Sequence, residues 1–430
     1  MAYRHAPTDE VDVTGLRAEG VYKVFGRRPG EAVKRLQAGA GRDDVRQWGT
    51  AAVIDASFEV RSGETFVVMG LSGSGKSTLI RMLNGLWRPT AGHVWLGDDD
   101  LSTIGSGRLR ELRRRRVSMV FQHFALLPHR TVIENAAYPL EIQGVDRTER
   151  RRRAGEALEL VGLGQWADSL PAQLSGGMRQ RVGLARALAA DTDVLLMDEA
   201  FSALDPLIRR EMQDQLLELQ QTLGKTIVFI THDLNEAMYL GDRIAVMRDG
   251  RIVQVGSSEQ ILSEPANEYV AQFVADVDRT RVLTAGSVMR TPAAVVQLSA
   301  GPRLALRTMR DQQVAAAYVV DRSRVLRGVV RDEAAVAAVR GTAPDTLEGL
   351  LDTSVPSVSV DTPLADVFAP SAETPLPVPV TDEAGRLVGV VPRVTLLEAM
   401  VPPTTTGETS AVTDPATTAP DAHDAMEVAR

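Results

Sequence analysis

The sequence predicts an α/β domain over residues 16–276, followed by a smaller α+β module over 283–400 built from two copies of one plan. Three observations lead there. Short apolar runs alternate with helix-forming sequence: TFVVMG (65–70), VSMVF (117–121), DVLLMD (193–198) and TIVFIT (226–231). Such runs, bounded by polar sequence, are what buried parallel strands require. A Gly-rich loop at 70–75 separates an apolar strand from a helix pattern, STLIRMLNGL. Finally, 283–340 and 346–400 share one order of segments and end alike, in RGVVRDEAAVAAV (327–339) and VGVVPRVTLLEAM (388–400). A period of ~60 residues means paired modules.

Taken in order, residues 1–15 read as a flexible arm. Leu16–Phe25 reads as a strand ending at a turn on Gly26. Residues 27–50 are polar and Gly-rich with a helical middle, EAVKRLQAG. Strand-like runs return from Val53 to Gly70. Residues 123–190 are mostly helical and contain an Arg-rich stretch at 147–153. The Thr-, Pro- and Ala-rich segment 401–430 has little to bury and reads as a disordered tail.

Composition bounds the function. The apolar share of 44% can fill cores, but aromatics are only 4%, so those cores must use Ala, Val and Leu. A net charge of −8 argues against coating nucleic acid by charge alone. The basic runs Arg113–Arg116 and Arg150–Arg153 lack interleaved aromatics and read as solvated faces. No cysteine is present, which removes disulfides and thiolate metal sites. The N-terminus lacks a signal-peptide pattern, and no stretch approaches the ~20 apolar residues of a membrane span. A soluble chain is expected, so any membrane task needs other subunits.

The chemistry begins at Gly70-Leu71-Ser72-Gly73-Ser74-Gly75-Lys76-Ser77-Thr78, which fits G-x-x-x-x-G-K-[ST] in its strand–loop–helix setting. The glycines let backbone N–H groups converge on phosphate oxygens, and the helix start adds its positive end. Lys76 is expected to reach the β- and γ-phosphates of ATP, and Ser77 to meet Mg²⁺. A buried strand then delivers Asp198-Glu199 to the sheet edge. Asp198 is placed to hold Mg²⁺ through water, and Glu199 to act as general base on the attacking water. Leu174-Ser175-Gly176-Gly177-Met178-Arg179-Gln180, before a helical run, forms a second anion-binding turn. One loop suffices for a triphosphate, so a second makes sense if two copies face each other.

Leu174–Gln180 together with the phosphate loop resembles the ABC ATPases. The resemblance implies further roles within residues 16–276. Gln122 matches the glutamine that touches Mg²⁺ and the attacking water. Asp205, in Ser202-Ala-Leu-Asp205, matches the segment that communicates across the dimer. His232 matches the histidine that contacts the γ-phosphate. Phe25, ahead of Tyr22, is the candidate to stack on adenine.

The insert at 27–50, the strings at 119–145 and 195–220, and the paired C-terminal modules are similar to ATPases of glycine betaine/proline importers carrying tandem cystathionine-β-synthase (CBS) domains. This implies a homodimer on the cytoplasmic face of the membrane. It would work with permease subunits and an extracytoplasmic solute-binding protein, importing a compatible solute for osmoprotection. Another solute (choline, carnitine or a polar amino acid), or a non-transport ABC ATPase, is the alternative. The modules depart from nucleotide-binding CBS repeats. Arg331 stands where a hydroxyl is expected in Gly328-Val-Val-Arg331-Asp332, and Gly389-Val-Val-Pro392-Arg393 lacks the acid. With 12 basic and 13 acidic residues over 281–400, the tandem has no cationic excess to draw it to anionic lipid.

Overall fold

The computed structural model describes residues 15–122, 125–202, 204–275, 277–341 and 346–400. The arm before residue 15 and the tail at 401–430 lie outside the described residues, as do positions 123, 124, 203 and 276 within the α/β part.

The chain opens with β1 (Leu16–Phe25), α1 (Pro29–Gln37), β2 (Thr50–Val60), β3 (Thr65–Met69) and α2 (Lys76–Leu83). It continues through β4 (Ala91–Leu96), β5 (Asp99–Asp100), α3 (Ser106–Arg115) and β6 (Val117–Val120). Three long helices follow: α4 (Val132–Ile142), α5 (Arg147–Leu160) and α6 (Gly176–Ala189). Then come β7 (Val194–Asp198), α7 (Pro206–Leu223), β8 (Thr226–Thr231), α8 (Leu234–Leu240), β9 (Arg243–Arg248) and β10 (Arg251–Gly256).

These strands make two sheets. One is antiparallel, in the order β2-β1-β4-β5. The other runs β10-β9-β3-β8-β7-β6 and is parallel except at its β10 edge. Every residue of β3, β7 and β8 is buried, because both faces of this sheet are covered. Side chains alternate between the two cores with period two. Val67, Met69, Leu195, Met197 and Phe229 join the core under α4, α5 and α6. Phe66, Val68, Leu196, Val228 and Ile230 join the core shared with α2, α3 and the antiparallel sheet.

The Arg-rich runs are neutralised locally. Arg114 and Arg115 pair with Glu111, and Arg116 pairs with Asp193. Arg150, Arg152 and Arg153 find Glu141, Glu149 with Glu156, and Asp191.

Short helices α9 (Ser258–Ser263), α10 (Glu268–Phe273) and α11 (Arg279–Val282) lead into the tandem. The first repeat contains α12 (Ala285–Val288), β11 (Val295–Gln297), α13 (Pro302–Asp311), β12 (Ala316–Val320), β13 (Leu326–Arg331) and α14 (Asp332–Arg340). The second contains β14 (Val358–Ser359), α15 (Leu364–Glu373), β15 (Val378–Thr381), β16 (Leu387–Val391) and α16 (Arg393–Met400). Each forms a three-stranded sheet with one parallel and one antiparallel pairing, in the same order. The repeats are fused rather than strung together. Tyr318, Val320 and Val329 share a core with Leu387 and Val390. Backbone N–H groups of Leu326 and Leu387 donate to the Gly385 and Arg324 carbonyls across the join, both at 3.0 Å. The Tyr318 hydroxyl donates to the Pro377 carbonyl at 2.6 Å. Arg331, at the position singled out in sequence, turns onto Asp352 at 3.0 Å.

Tyr318 is buried, and burial raises its phenol pKa. Tyr318→Phe leaves the Pro377 carbonyl without its partner. We expect a loss of about 1–2 kcal/mol from the tandem. A lower urea midpoint for the tandem's transition, with ATP hydrolysis intact, would be the sign. An unchanged midpoint would show that this bond contributes nothing to holding the repeats together.

Candidate active site

The phosphate loop is pinched by backbone on two sides. A Cβ on Gly70 would sit 2.1 Å from the Met247 carbonyl oxygen, and one on Gly75 2.2 Å from that of Ala52. Both glycines also have positive φ, as does Gly73. Only glycine meets these demands together. From Gly75 the chain turns directly into α2, so Lys76 is the first helical residue. Its Nζ curls back to donate to the carbonyls of Gly70 (2.7 Å) and Leu71 (3.2 Å). Burial lowers its pKa, with the Glu199 and Asp198 carboxylates pulling the other way. The Thr78 N–H donates to the Gly75 carbonyl and serves the helix start. Ser72 lies on the loop's outer turn, whereas the Ser74 hydroxyl is buried and has no hydrogen-bond partner among the described residues. A buried polar group left alone is costly unless a ligand completes it. The orphaned hydroxyl and the Gly cradle suit an anionic, phosphate-bearing guest.

The strand order β8-β7-β6 brings three loop starts together at one sheet edge. Asp198 ends β7 and accepts from the Ser77 hydroxyl at 3.3 Å. It is 9% exposed, and burial raises its carboxyl pKa above the ordinary value. Glu199 follows with φ of 46°, in the left-handed region. Its N–H donates to the Ile230 carbonyl at 2.9 Å, which ties the turn to β8. Strain of this kind at a non-glycine residue is held by its surroundings and re-aims the side chain. The Glu199 carboxylate meets Gln122 Nε2 at 3.3 Å, from the end of β6. It also meets His232 Nδ1 at 3.2 Å, from the end of β8. Ser202 closes the group by donating to the Glu199 carbonyl at 2.9 Å, while Gln122 Nε2 reaches its hydroxyl at 3.4 Å. The cluster therefore holds an acceptor carboxylate, an imidazole and an amide donor in one place.

The remaining sequence candidates sit apart. Ser175 caps α6 by accepting from the Met178 N–H at 3.2 Å. Gly177 leaves room for α7, since a Cβ there would come 2.7 Å from Ile208. Asp205 caps α7 through the Ile208 N–H at 3.2 Å. Among the described residues no hydrogen bond joins Ser175, Gly176, Gly177 or Asp205 to the phosphate loop. Phe25 is 40% exposed, with its ring edge-on to Trp87 at 5.1 Å and Lys23 Nζ 5.3 Å away. Sequence reading did not find the loop's backing. Ala52 on β2, Met247 in β9 and Gly250 in the β9–β10 turn supply it, and the Gly250 N–H donates to the Ser74 carbonyl at 3.0 Å. Contacts made by carbonyls leave no trace in residue type.

The ABC transporter family profile matches residues 53–202, and the CBS domain profile matches 285–341 and 347–402. The chain is 49% identical over 387 residues to the glycine betaine transport ATP-binding protein OpuAA of Bacillus subtilis, spanning 90% of this chain and 92% of that one. The chain belongs to the ABC transporter ATP-binding family. It is 50% identical to the glycine betaine/carnitine transport ATP-binding protein GbuA of Listeria monocytogenes, over 90% of this chain and 97% of the relative. It is 45% identical to the glycine betaine/proline betaine ATP-binding protein ProV of Escherichia coli, over the same shares. As an ABC ATPase it binds ATP and couples its hydrolysis to transport.

An ABC ATPase without nucleotide carries the cost of its buried Asp198. The native carboxyl's pKa lies above its unfolded value. Stability therefore falls as pH rises through that window, and the full cost applies above the native pKa. Asp198→Asn removes it and keeps the shape. The nucleotide-free variant should melt about 2–4 °C higher at neutral pH, roughly 1 kcal/mol. Its advantage should shrink as the pH is lowered and the wild-type carboxyl takes up its proton. A variant that melts lower at neutral pH would contradict the burial argument.

Proposed function

We propose that this chain powers uptake of glycine betaine, proline betaine or a related compatible solute through a separate membrane permease, for osmoprotection. The observation behind the hydrolytic part is the meeting of Gln122, Glu199 and His232 beside the phosphate loop. The solute is inferred from relatives 45–50% identical over 90% of this chain, whose names specify betaine transport.

In this reading the loop N–H groups, Lys76, Ser72, Ser74 and Thr78 receive the triphosphate, and Phe25 offers its exposed ring to adenine. Ser77, Asp198 and Gln122 would hold Mg²⁺, which neutralises charge on the β- and γ-phosphate oxygens when bound. Glu199 accepts a proton from the attacking water, while His232 and Gln122 orient that water and the γ-phosphate. Two copies close on two ATP molecules. The partner's Ser175–Gly177 turn caps each γ-phosphate, and Asp205 sits at the seam.

Closure has to reach the permease. A groove of about 740 Å³ lies between α3, β6 and the helical part, lined in part by Phe121, Tyr138, Ile142 and Arg186. It adjoins Gln122 in sequence, so a permease segment seated there would move with the hydrolytic centre. Among the described residues no helix is long and apolar enough to cross a membrane, in keeping with a peripheral subunit. A solute-binding protein outside the membrane would deliver the cargo.

Glu199→Gln should keep ATP binding and lose on the order of 10²–10⁴ in turnover. Wild-type turnover in that variant would remove Glu199 from the base role. Lys76→Ala should weaken ATP binding itself, read by equilibrium titration. In cells, labelled betaine uptake should rise after a salt upshift and vanish with Glu199→Gln. Uptake that is the same in both strains would discard betaine and turn the search to carnitine and choline.

A further inference from the structure

The insert at 27–50 takes no part in the chemistry above, yet both its root and its far end touch the nucleotide site. Its body is a small core of its own. Ala32, Val33 and Leu36 of α1 and Val45 pack on Tyr22, Val24, Ala51 and Ile54 of β1 and β2. The Arg35 guanidinium lies 3.9 Å from the centre of the Trp48 ring. At the root, Gly49 passes so close to β1 that a Cβ on it would lie 2.6 Å from the Phe25 carbonyl oxygen. The insert thereby backs the residue offered to the base.

At the far end, Arg42 spreads over three acceptors. Its Nε donates to the Ala51 carbonyl at 3.0 Å, and Nη1 meets Asp249 Oδ1 at 3.2 Å. Its Nη2 donates to the Gly73 carbonyl at 3.3 Å. Gly73 is the loop glycine that packing does not fix. Gly70 and Gly75 are wedged against carbonyls, whereas a Cβ on Gly73 would meet nothing within 4 Å among the described residues. With φ of 79° and open space around it, this peptide needs a tether. The other two acceptors belong to residues next to the loop's backing. Ala51 precedes the Ala52 whose carbonyl backs Gly75, and Asp249 precedes the Gly250 that holds the Ser74 carbonyl.

We propose that Arg42 is a positioning residue for the phosphate loop. Its planar fork ties the free Gly73 peptide to β2 and to the β9–β10 turn, so the loop N–H groups converge before nucleotide arrives. A loop ordered in advance loses less freedom on binding, and affinity rises by that amount. A lysine cannot replace it, since a point charge on a flexible stem does not span three acceptors in a plane. This rests on the reading of 70–78 as the triphosphate site.

The test uses the full chain and equilibrium titration with MgATP and with adenosine, comparing wild type, Arg42→Ala, Arg42→Lys and Lys76→Ala. Arg42→Ala should weaken MgATP about tenfold, the scale of one charge-assisted hydrogen bond at a part-exposed site. Adenosine affinity should stay within about twofold, because adenosine has no phosphate for the loop to order. Arg42→Lys should fall between, and it carries the same comparison if the alanine variant does not fold. Unchanged ATP affinity in both Arg42 variants, with Lys76→Ala impaired, overturns this inference alone. Equal weakening of ATP and adenosine with a lower melting temperature would make Arg42 a folding staple and also overturn it. Retained ATP affinity in Lys76→Ala would instead bring down the phosphate-loop reading itself.

Discussion

Two backbone carbonyls shape the nucleotide site of this ABC ATPase. The Met247 and Ala52 oxygens press on the loop at Gly70 and Gly75 and leave no room for side chains. Everything downstream follows from that squeeze. The chain has to leave Gly75 straight into α2, so Lys76 starts the helix and its amine folds back over the loop. One residue later Ser77 comes within 3.3 Å of Asp198. The pinching carbonyls come from different sheets, β2 in the antiparallel one and β9 in the parallel one. The site is therefore also a seam between the two layers of the domain.

The same site carries free energy that the fold alone would not keep. Lys76 and Asp198 are both driven toward their neutral forms by burial, and Glu199 sits in a backbone region that most side chains avoid. The Ser74 hydroxyl has no partner among the described residues. Each is unfavourable on its own and is offset when a highly charged, phosphate-bearing guest binds. The wide apolar cores on both faces of the parallel sheet supply the stability that lets these groups stay buried. The tandem repeats show the opposite economy. Their charged contacts, such as Arg331 on Asp352 and Arg386 on Asp382, are made within the chain, although the Thr395 hydroxyl is also buried with no partner among the described residues.

Much of this was legible in residue order. The apolar runs at 65–70, 193–198 and 226–231 correspond to β3, β7 and β8, because strands covered on both faces must be apolar throughout. The meeting of Gln122, Glu199 and His232 was readable only through family resemblance. Their separations along the chain say nothing until the strand order β8-β7-β6 makes them neighbours. The antiparallel β9–β10 hairpin was not singled out, although the two-residue Asp249-Gly250 turn between RIAVMR and RIVQVG, with both residues at positive φ, is a strong local signal for one. The hold on the phosphate loop was hidden for another reason. It is made by main-chain oxygens and by an arginine in a segment whose composition reads as polar linker.

The root of that segment has a consequence of its own. The chain enters the insert at Gly26 and returns at Gly49, where a Cβ on the first would lie 2.5 Å from the Cα of the second. Entry and exit share one doorway, so β1 and β2 remain paired at Phe25 and Thr50 whatever lies between. The segment is in effect a cassette within the cassette. Its length can change at that doorway without moving the Phe25–Thr50 pair, but its body is bound to the domain by the core over β1 and β2 and by Arg42 at the loop.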